Sequence, residues 1–155
     1  MASKRLLIVA HAPSPNTERL RDALIAGARS PDIEEVEVTA LGPFGTTPAE
    51  VLSADAIILG ATEDLGYMSG ALKDFFDRCY CPCLGRTEGM PYAFYIRAGN
   101  DGTGAKRGVE TIVTGLRWRK IQEPLIFRGA WREEFVAECR ELGTLMAAGL
   151  EAGVF

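Results

Sequence analysis

Residues Arg5 to Leu24 read RLLIVAHAPSPNTERLRDAL, and the order of parts within this stretch decides the fold. Leu6-Leu7-Ile8-Val9-Ala10 is apolar at consecutive positions, the pattern of a strand covered on both faces. A polar loop follows, His11-Ala12-Pro13-Ser14-Pro15-Asn16-Thr17. From Glu18 a helix is predicted, because Leu20, Ala23, Leu24, Gly27 and Ala28 recur at helical spacing until Ser30-Pro31-Asp32 ends it. A buried strand running through a hydroxyl-rich loop into a helix start is a common way to hold a phosphate.

The loop excludes as well as suggests. It contains no Gly and no Lys, so it is neither the G-x-G-x-x-G turn of a dinucleotide site nor the G-x4-G-K-[ST] loop of an ATP site. What it offers is hydroxyls, an amide and a helix N-terminus. Ser14 suits the N-cap, and Pro15 suits the first helical position, where its missing N–H is no loss. The N–H groups of Asn16, Thr17 and Glu18, with the positive end of the helix dipole, would form a neutral cradle for a phosphomonoester. Simple capping of the helix accounts for Ser14 and Thr17 equally well.

Outward from this stretch the pattern repeats. Glu35–Leu41 alternates, with Val36 and Val38 on one face, as an edge strand with one wet side does. Pro48–Leu52 allows one short helix after the Gly/Pro/Thr-rich turn at 42–47. Ala56–Gly60 is a second buried strand, Ala61–Gly70 a loop, and Leu72, Phe75, Phe76 and Cys79 form the stripe of a helix. Cys81–Pro91 reads as an irregular crossing, Tyr92–Ile96 as a strand and Arg97–Gly104 as a Gly-rich loop. A helix carrying Val109, Ile112, Val113 and Leu116, a strand at Pro124–Phe127 and a closing helix from about Arg132 complete the chain. Five strands alternating with five helical segments imply a parallel sheet with helices on both faces. The expectation is one domain over residues 1–155, too short for an eight-unit barrel. In such sheets ligands bind beyond the carboxyl ends of the strands, where strand order reverses.

A net charge of −4 and a pI near 5.1, with only Lys106-Arg107 and Arg117–Lys120 as basic clusters, argue against a nucleic-acid partner. No run approaches a membrane span, and the apolar run after Lys4-Arg5 stops too soon for a signal peptide, so the cytoplasm is the expected compartment. Cys79, Cys81 and Cys83 alternate instead of forming a C-x2-C pair, and the sole histidine, His11, is far away in sequence. Reduced thiols at a helix end and in a loop, with no metal, are therefore expected.

Two patches carry a resemblance to a known family. Ser14-Pro15-Asn16-Thr17-Glu18 resembles the phosphate loop of flavodoxin-like proteins. Ala54-Asp55-Ala56-Ile57-Ile58-Leu59-Gly60, with Gly66-Tyr67-Met68-Ser69-Gly70-Ala71-Leu72-Lys73-Asp74-Phe75-Phe76-Asp77-Arg78, resembles a segment of the flavodoxin-like NAD(P)H:quinone and FMN reductases. The resemblance implies an α/β three-layer, doubly wound sandwich with a five-stranded parallel sheet in order 2-1-3-4-5, and FMN at the first-strand/third-strand switch point; flavodoxin is the standard example of that geometry. It implies that Ser14, Asn16 and Thr17 hold the phosphate with His11 nearby. Ala61, Thr62, Glu63, Asp64, Leu65 and Gly66 would line the isoalloxazine, and Gly99, Asn100 and Gly102, in the loop 99–104, would close its far side.

The sequence departs from that pattern after the strand glycine. The family has Thr-Pro-x-Tyr there, and this chain has Ala61-Thr62-Glu63-Asp64, an aspartate in the aromatic position; Tyr67, three residues on, could substitute for it. If the ring binds, Glu63 and Asp64 bear on it electrostatically; otherwise they are solvated loop carboxylates. No side chain is assigned a catalytic role, since the cofactor carries the chemistry. Asp74 and Arg78, spaced i, i+4, read as an exposed pair, and Trp118 and Trp131 as packing residues away from the ligand-side loops. The resemblance thus implies an FMN flavoprotein that takes a hydride from NAD(P)H and passes electrons to a quinone or similar small acceptor, with a homodimer or higher homo-oligomer as the assembly it allows. The alternatives are a flavodoxin-type carrier with no substrate of its own, and a flavodoxin-like domain that has lost flavin binding.

Overall fold

The computed structural model describes residues 3–155. In chain order its elements are β1 (Lys4–Ala10), α1 (Pro15–Ala28), β2 (Val36–Leu41), α2 (Pro48–Ser53), β3 (Ala56–Asp64), β4 (Tyr67–Met68), α3 (Gly70–Cys83), β5 (Pro91–Ala98), α4 (Thr103–Gly115), β6 (Arg119–Lys120), β7 (Leu125–Arg128) and α5 (Glu134–Ala152). Along the sheet the order is β2-β1-β3-β5, with β6 and β7 both pairing the outer side of β5. Every pair is parallel except the β3–β4 hairpin. The fold is flavodoxin-like, and the expected order of five strand positions is present, the fifth being split in two.

That split has a local cause. Arg119 and Lys120 lie beside Pro91 and Tyr92, and Ile121 still donates its N–H to Tyr92 C=O at 3.0 Å. Pro124 then interrupts the ladder because it has no N–H to give, and β7 resumes opposite Tyr95–Ala98.

β1 and β3 are central for the reason their composition suggests. Leu6 to Ala10 are each no more than 3% exposed, so the strand is covered on both faces. Leu7, Val9, Ile57, Leu59 and Ala61 pack with Val51, Leu72, Phe75, Phe76, Val109 and Val113, which places α2, α3 and α4 on one face. Leu6, Ile8, Ala10 and Ile58 pack with Leu20, Leu24, Phe135, Cys139, Leu142 and Met146, which places α1 and α5 on the other. The two helices of that second layer touch backbone to backbone: a Cβ on Gly27 would lie 2.0 Å from Arg140 O, and one on Gly143 would lie 2.1 Å from Leu24 O.

Several boundaries move from the sequence expectation. α1 begins at Pro15, the position the Ser14 cap marks, three residues before the Glu18 start read from the apolar stripe. β3 runs four residues beyond Gly60 into a hairpin, so most of the supposed loop 61–70 is strand. α3 continues through Pro82 to Cys83, which puts Cys79, Cys81 and Cys83 all on one helix instead of partly in a loop. Burial pushes the Cys79 thiol up to about 11 and raises Cys83, so both are held protonated in the core; Cys81 is exposed. Arg78 is more than half of a surface pair. It meets Asp74 at 2.8 Å and also donates to Thr46 C=O at 2.6 Å and Pro43 C=O at 2.7 Å, fastening the turn after β2 to α3. Among the described residues no helix is long and apolar enough to cross a membrane.

Gly60 fits beneath the ring of Tyr95, its register partner on β5. A Cβ there would lie 2.5 Å from Tyr95 Cζ and Oη, while the Tyr95 hydroxyl is buried with no hydrogen-bond partner. Gly60→Ala should therefore cost about 1–3 kcal/mol by overpacking. Tyr95→Phe should be neutral or stabilising, since it removes an unsatisfied polar atom and breaks no hydrogen bond. Urea unfolding of both variants checks this.

Candidate functional site

The carboxyl ends of β1, β3 and β5 bring three loops to one edge of the sheet. The first is joined to the second by main chain: His11 N–H donates to Gly60 C=O at 3.0 Å, extending the β1–β3 ladder by one rung into the loop. His11, Ala12 and Asn16 are partly exposed there, and Thr17 is buried.

Ser14 is the N-cap of α1 with Pro15 inside the first turn, as the sequence indicates. The cap is reciprocal. Thr17 N–H donates to Ser14 Oγ at 3.3 Å, and Ser14 N–H donates to Thr17 Oγ1 at 2.9 Å. Glu18 N–H donates to Ser14 C=O at 2.8 Å, and Thr17 Oγ1–H donates to the same carbonyl at 3.0 Å. Two of the three first-turn donors of the predicted cradle are thus spent on the helix itself. Among the described residues Asn16 N–H and Ala12 N–H have no partner, and Pro13 and Pro15 supply none. Ser14 Oγ also lies 2.8 Å from Thr17 Oγ1, so its hydroxyl is spent on the cap as well, and the donor set left for an anion is those two N–H groups and the Asn16 carboxamide. It is neutral, and it sits at the positive end of α1.

The second loop is a tight hairpin. Glu63 pairs with Met68 and Asp64 with Tyr67, leaving Leu65-Gly66 as a two-residue turn with φ of +53° and +77°. Positive φ at both positions defines a type I′ turn, which favours Asn-Gly, and a leucine there costs about 1–2 kcal/mol. The Leu65 side chain is fully exposed and Tyr67 is 40% exposed. Thr62 Oγ1–H donates to Asp64 at 3.2 Å, so Asp64 is tied back to its own strand.

Glu63 is neither a free surface acid nor a liner of open space. Its carboxylate accepts Asn100 N–H at 3.0 Å on one oxygen and Gly102 N–H at 2.9 Å on the other, spanning from β3 to the loop after β5. The hairpin also rests on α4. A Cβ on Gly104 would lie 1.8 Å from Gly66 O, and one on Gly108 would lie 2.5 Å from Tyr67 Cε1. Sequence reading missed this seat, although two glycines at i, i+4 on one helix face were visible as a place where a neighbour approaches closely. Asp101 turns inward to its own helix start, accepting Thr103 N–H at 3.0 Å, which holds its carboxyl below the ordinary range. Gly99 stands exposed in the same loop, where a Cβ would meet nothing within 4 Å, and Ala61 is buried in the α3/α4-side core.

A second group at this edge was unforeseen. Trp131 follows the carboxyl end of β7 and so lies on the ligand side of the sheet, contrary to the sequence expectation. Its ring meets Phe135 edge-on at 5.7 Å, and the guanidinium groups of Arg19 and Arg97 stand 5.6 Å and 5.7 Å from its centroid. Arg19 also forms a two-pronged ion pair with Glu133, at 2.9 Å and 2.5 Å, and Trp131 Nε1–H donates to Glu133 at 3.2 Å. Trp118 is on the other side of the molecule, buried, with Nε1–H donating to Thr87 at 2.9 Å. A concavity of about 270 Å³ lined by Arg5, Glu37, Thr39, Glu50 and Ser53 opens near the start of β1, away from all three loops. Among the described residues no cluster of three or more His, Cys, Asp or Glu could hold a metal.

No protein-family model matches the chain. It is 27% identical over 112 residues to a flavodoxin of Aquifex aeolicus (strain VF5), a match covering 72% of this chain and 60% of that protein's length. It superposes on a flavodoxin from the domain Archaea with a TM-score of 0.80 at 19% identity, covering 95% of this chain and 99% of that one. For the two-electron reduced flavodoxin of Megasphaera elsdenii the TM-score is 0.75 at 18% identity, over 92% and 98% of the two chains. These likenesses establish the flavodoxin-like fold.

The Arg19–Glu133 pair yields a pH prediction. The guanidinium and the indole N–H hold the Glu133 carboxyl down at about 2, from an ordinary 4.5. A depressed carboxylate contributes stability above its unfolded value and loses it as pH falls through the folded one. Stability should therefore decline between about pH 4.5 and 2, and Glu133→Gln should flatten that decline. Thermal unfolding followed by tryptophan emission measures both.

Proposed function

We propose that the protein binds FMN at the carboxyl edge of its sheet and serves as an electron carrier of the flavodoxin type. One observation carries the reading: a neutral donor set at the N-terminus of α1, fastened by His11 N–H to Gly60 C=O at the place where strand order reverses. This set suits a phosphomonoester. Asn16, with the N–H groups of Ala12 and Asn16, would hold the phosphate, and Ser14 would join them by turning its hydroxyl away from Thr17 Oγ1. The hairpin 62–68 and the loop 99–102 would flank the ring, with Tyr67 and Leu65 as its apolar neighbours. Once bound, FMN supplies one- and two-electron transfer. The chain's own work is to position it, shield it and set the charge around it, and Glu63 and Asp64 make that surrounding acidic. The likeness to proteins named flavodoxins supports the same conclusion.

A second reading, an NAD(P)H-dependent FMN or quinone reductase, rests on the likeness of Ala54–Gly60 and Gly66–Arg78 to those enzymes. The two differ in turnover. Titrating the protein with FMN while following flavin fluorescence should show saturable quenching at micromolar concentration or below. The loaded protein should then accept electrons from a reductase protein without oxidising NADH or NADPH itself. Absence of FMN binding overturns both readings. Steady NAD(P)H oxidation with a quinone transfers the conclusion to the second.

A further inference from the structure

Glu63 is the acid at this edge whose side chain joins two loops from different strands. It reaches from β3 to the loop after β5 and gives each of its oxygens one main-chain N–H, from Asn100 and from Gly102. Gly102 has φ of +73° and precedes the first turn of α4, so the two donors converge at the positive end of that helix. The contact of Gly66 with Gly104, and of Tyr67 with Gly108, keeps the hairpin close enough for the carboxylate to reach.

A pair of convergent N–H donors selects a pair of adjacent acceptors. A carboxylate is one such pair; the N1 and O2 atoms along the dione edge of an isoalloxazine are another, with similar spacing. We propose that Glu63 is an internal stand-in for that edge of the ring. It occupies the Asn100 and Gly102 donors, and the ring would gain them only by displacing it. The inference rests on the FMN reading and adds to it a residue that sets affinity by competition. It also gives Glu63 a purpose that a solvated loop acid would not have. The side chain is only partly buried, so it can swing into water once displaced, carrying its charge into solvent at little cost.

The test uses the full chain with two variants. Glu63→Gln keeps the volume but offers one acceptor to two donors. Glu63→Asp keeps the charge but is one methylene too short to bridge. In the ligand-free protein both should shift the Asn100 and Gly102 amide resonances and speed their hydrogen exchange, and both should bind FMN about tenfold more tightly. Unchanged amides in the variants overturn the proposal. So does unchanged or weaker FMN binding, which would make Glu63 a plain clamp that orders the loops. Tighter binding by Glu63→Gln alone also overturns it, since removal of a charge beside an anionic ligand would then suffice. If wild type and variants all fail to bind FMN while the amides respond, the flavin reading itself falls and the stand-in role falls with it. That outcome is distinct from a wild type that binds while its variants gain nothing.

Discussion

The pairing of β1 with β3 is the constraint on which the ligand edge depends. Both strands are apolar at consecutive positions because each is covered by helices on two faces, and their register aligns Ala10 with Gly60. The ladder does not stop at the strand end. His11 N–H continues it to Gly60 C=O, so the first loop leaves the sheet alongside the strand that extends into the hairpin. A shift of one residue in this register would turn Leu6 and Ile8 toward the wrong helical layer and part the two loops. Core packing and site geometry are therefore set by the same ladder.

The edge itself is a contest over main-chain donors. The reciprocal cap of Ser14 and Thr17 uses up donors that an anion could take, and two prolines remove more. Beyond the hairpin, Glu63 occupies the Asn100 and Gly102 N–H groups. What remains for a phosphate is a small neutral set around Asn16, and what remains for a ring is a surface edged by an exposed leucine held at positive φ. An apolar side chain in a costly conformation, facing water, is the kind of local conflict that concentrates where a ligand or partner binds.

The sequence made the central layers legible because their signals are short-range. Five-residue apolar runs marked β1 and β3, Ser14-Pro15 marked a helix start, and stripes such as Leu72, Phe75, Phe76 and Cys79 marked the buried faces. Features that depend on two distant segments meeting were not legible. The hairpin at 62–68 has the sequence signature of a loop because its pairing is only two residues long and its turn carries Leu where Asn is usual. The bridging role of Glu63 depends on the loop 99–102 arriving from β5, and the seat for Tyr67 depends on α4 presenting two glycines. Trp131 was misplaced for the same reason: its position at the ligand edge is set by where β7 ends, and its partners Arg19 and Arg97 come from elements far away in the chain.

A flavodoxin-like fold does not by itself make a flavin site, because function resides in the loops that the fold positions. The loops here bring a neutral donor set at the start of α1 beside a hairpin from β3 and the loop after β5, the two features on which the proposed FMN site rests. The most direct measurement is a backbone amide shift map of the isotope-labelled protein titrated with FMN. The account predicts changes concentrated at residues 11–18, 61–68 and 99–103, with the concavity around Arg5, Glu37 and Glu50 unaffected. Changes confined to that concavity, or none at saturating FMN, would contradict it.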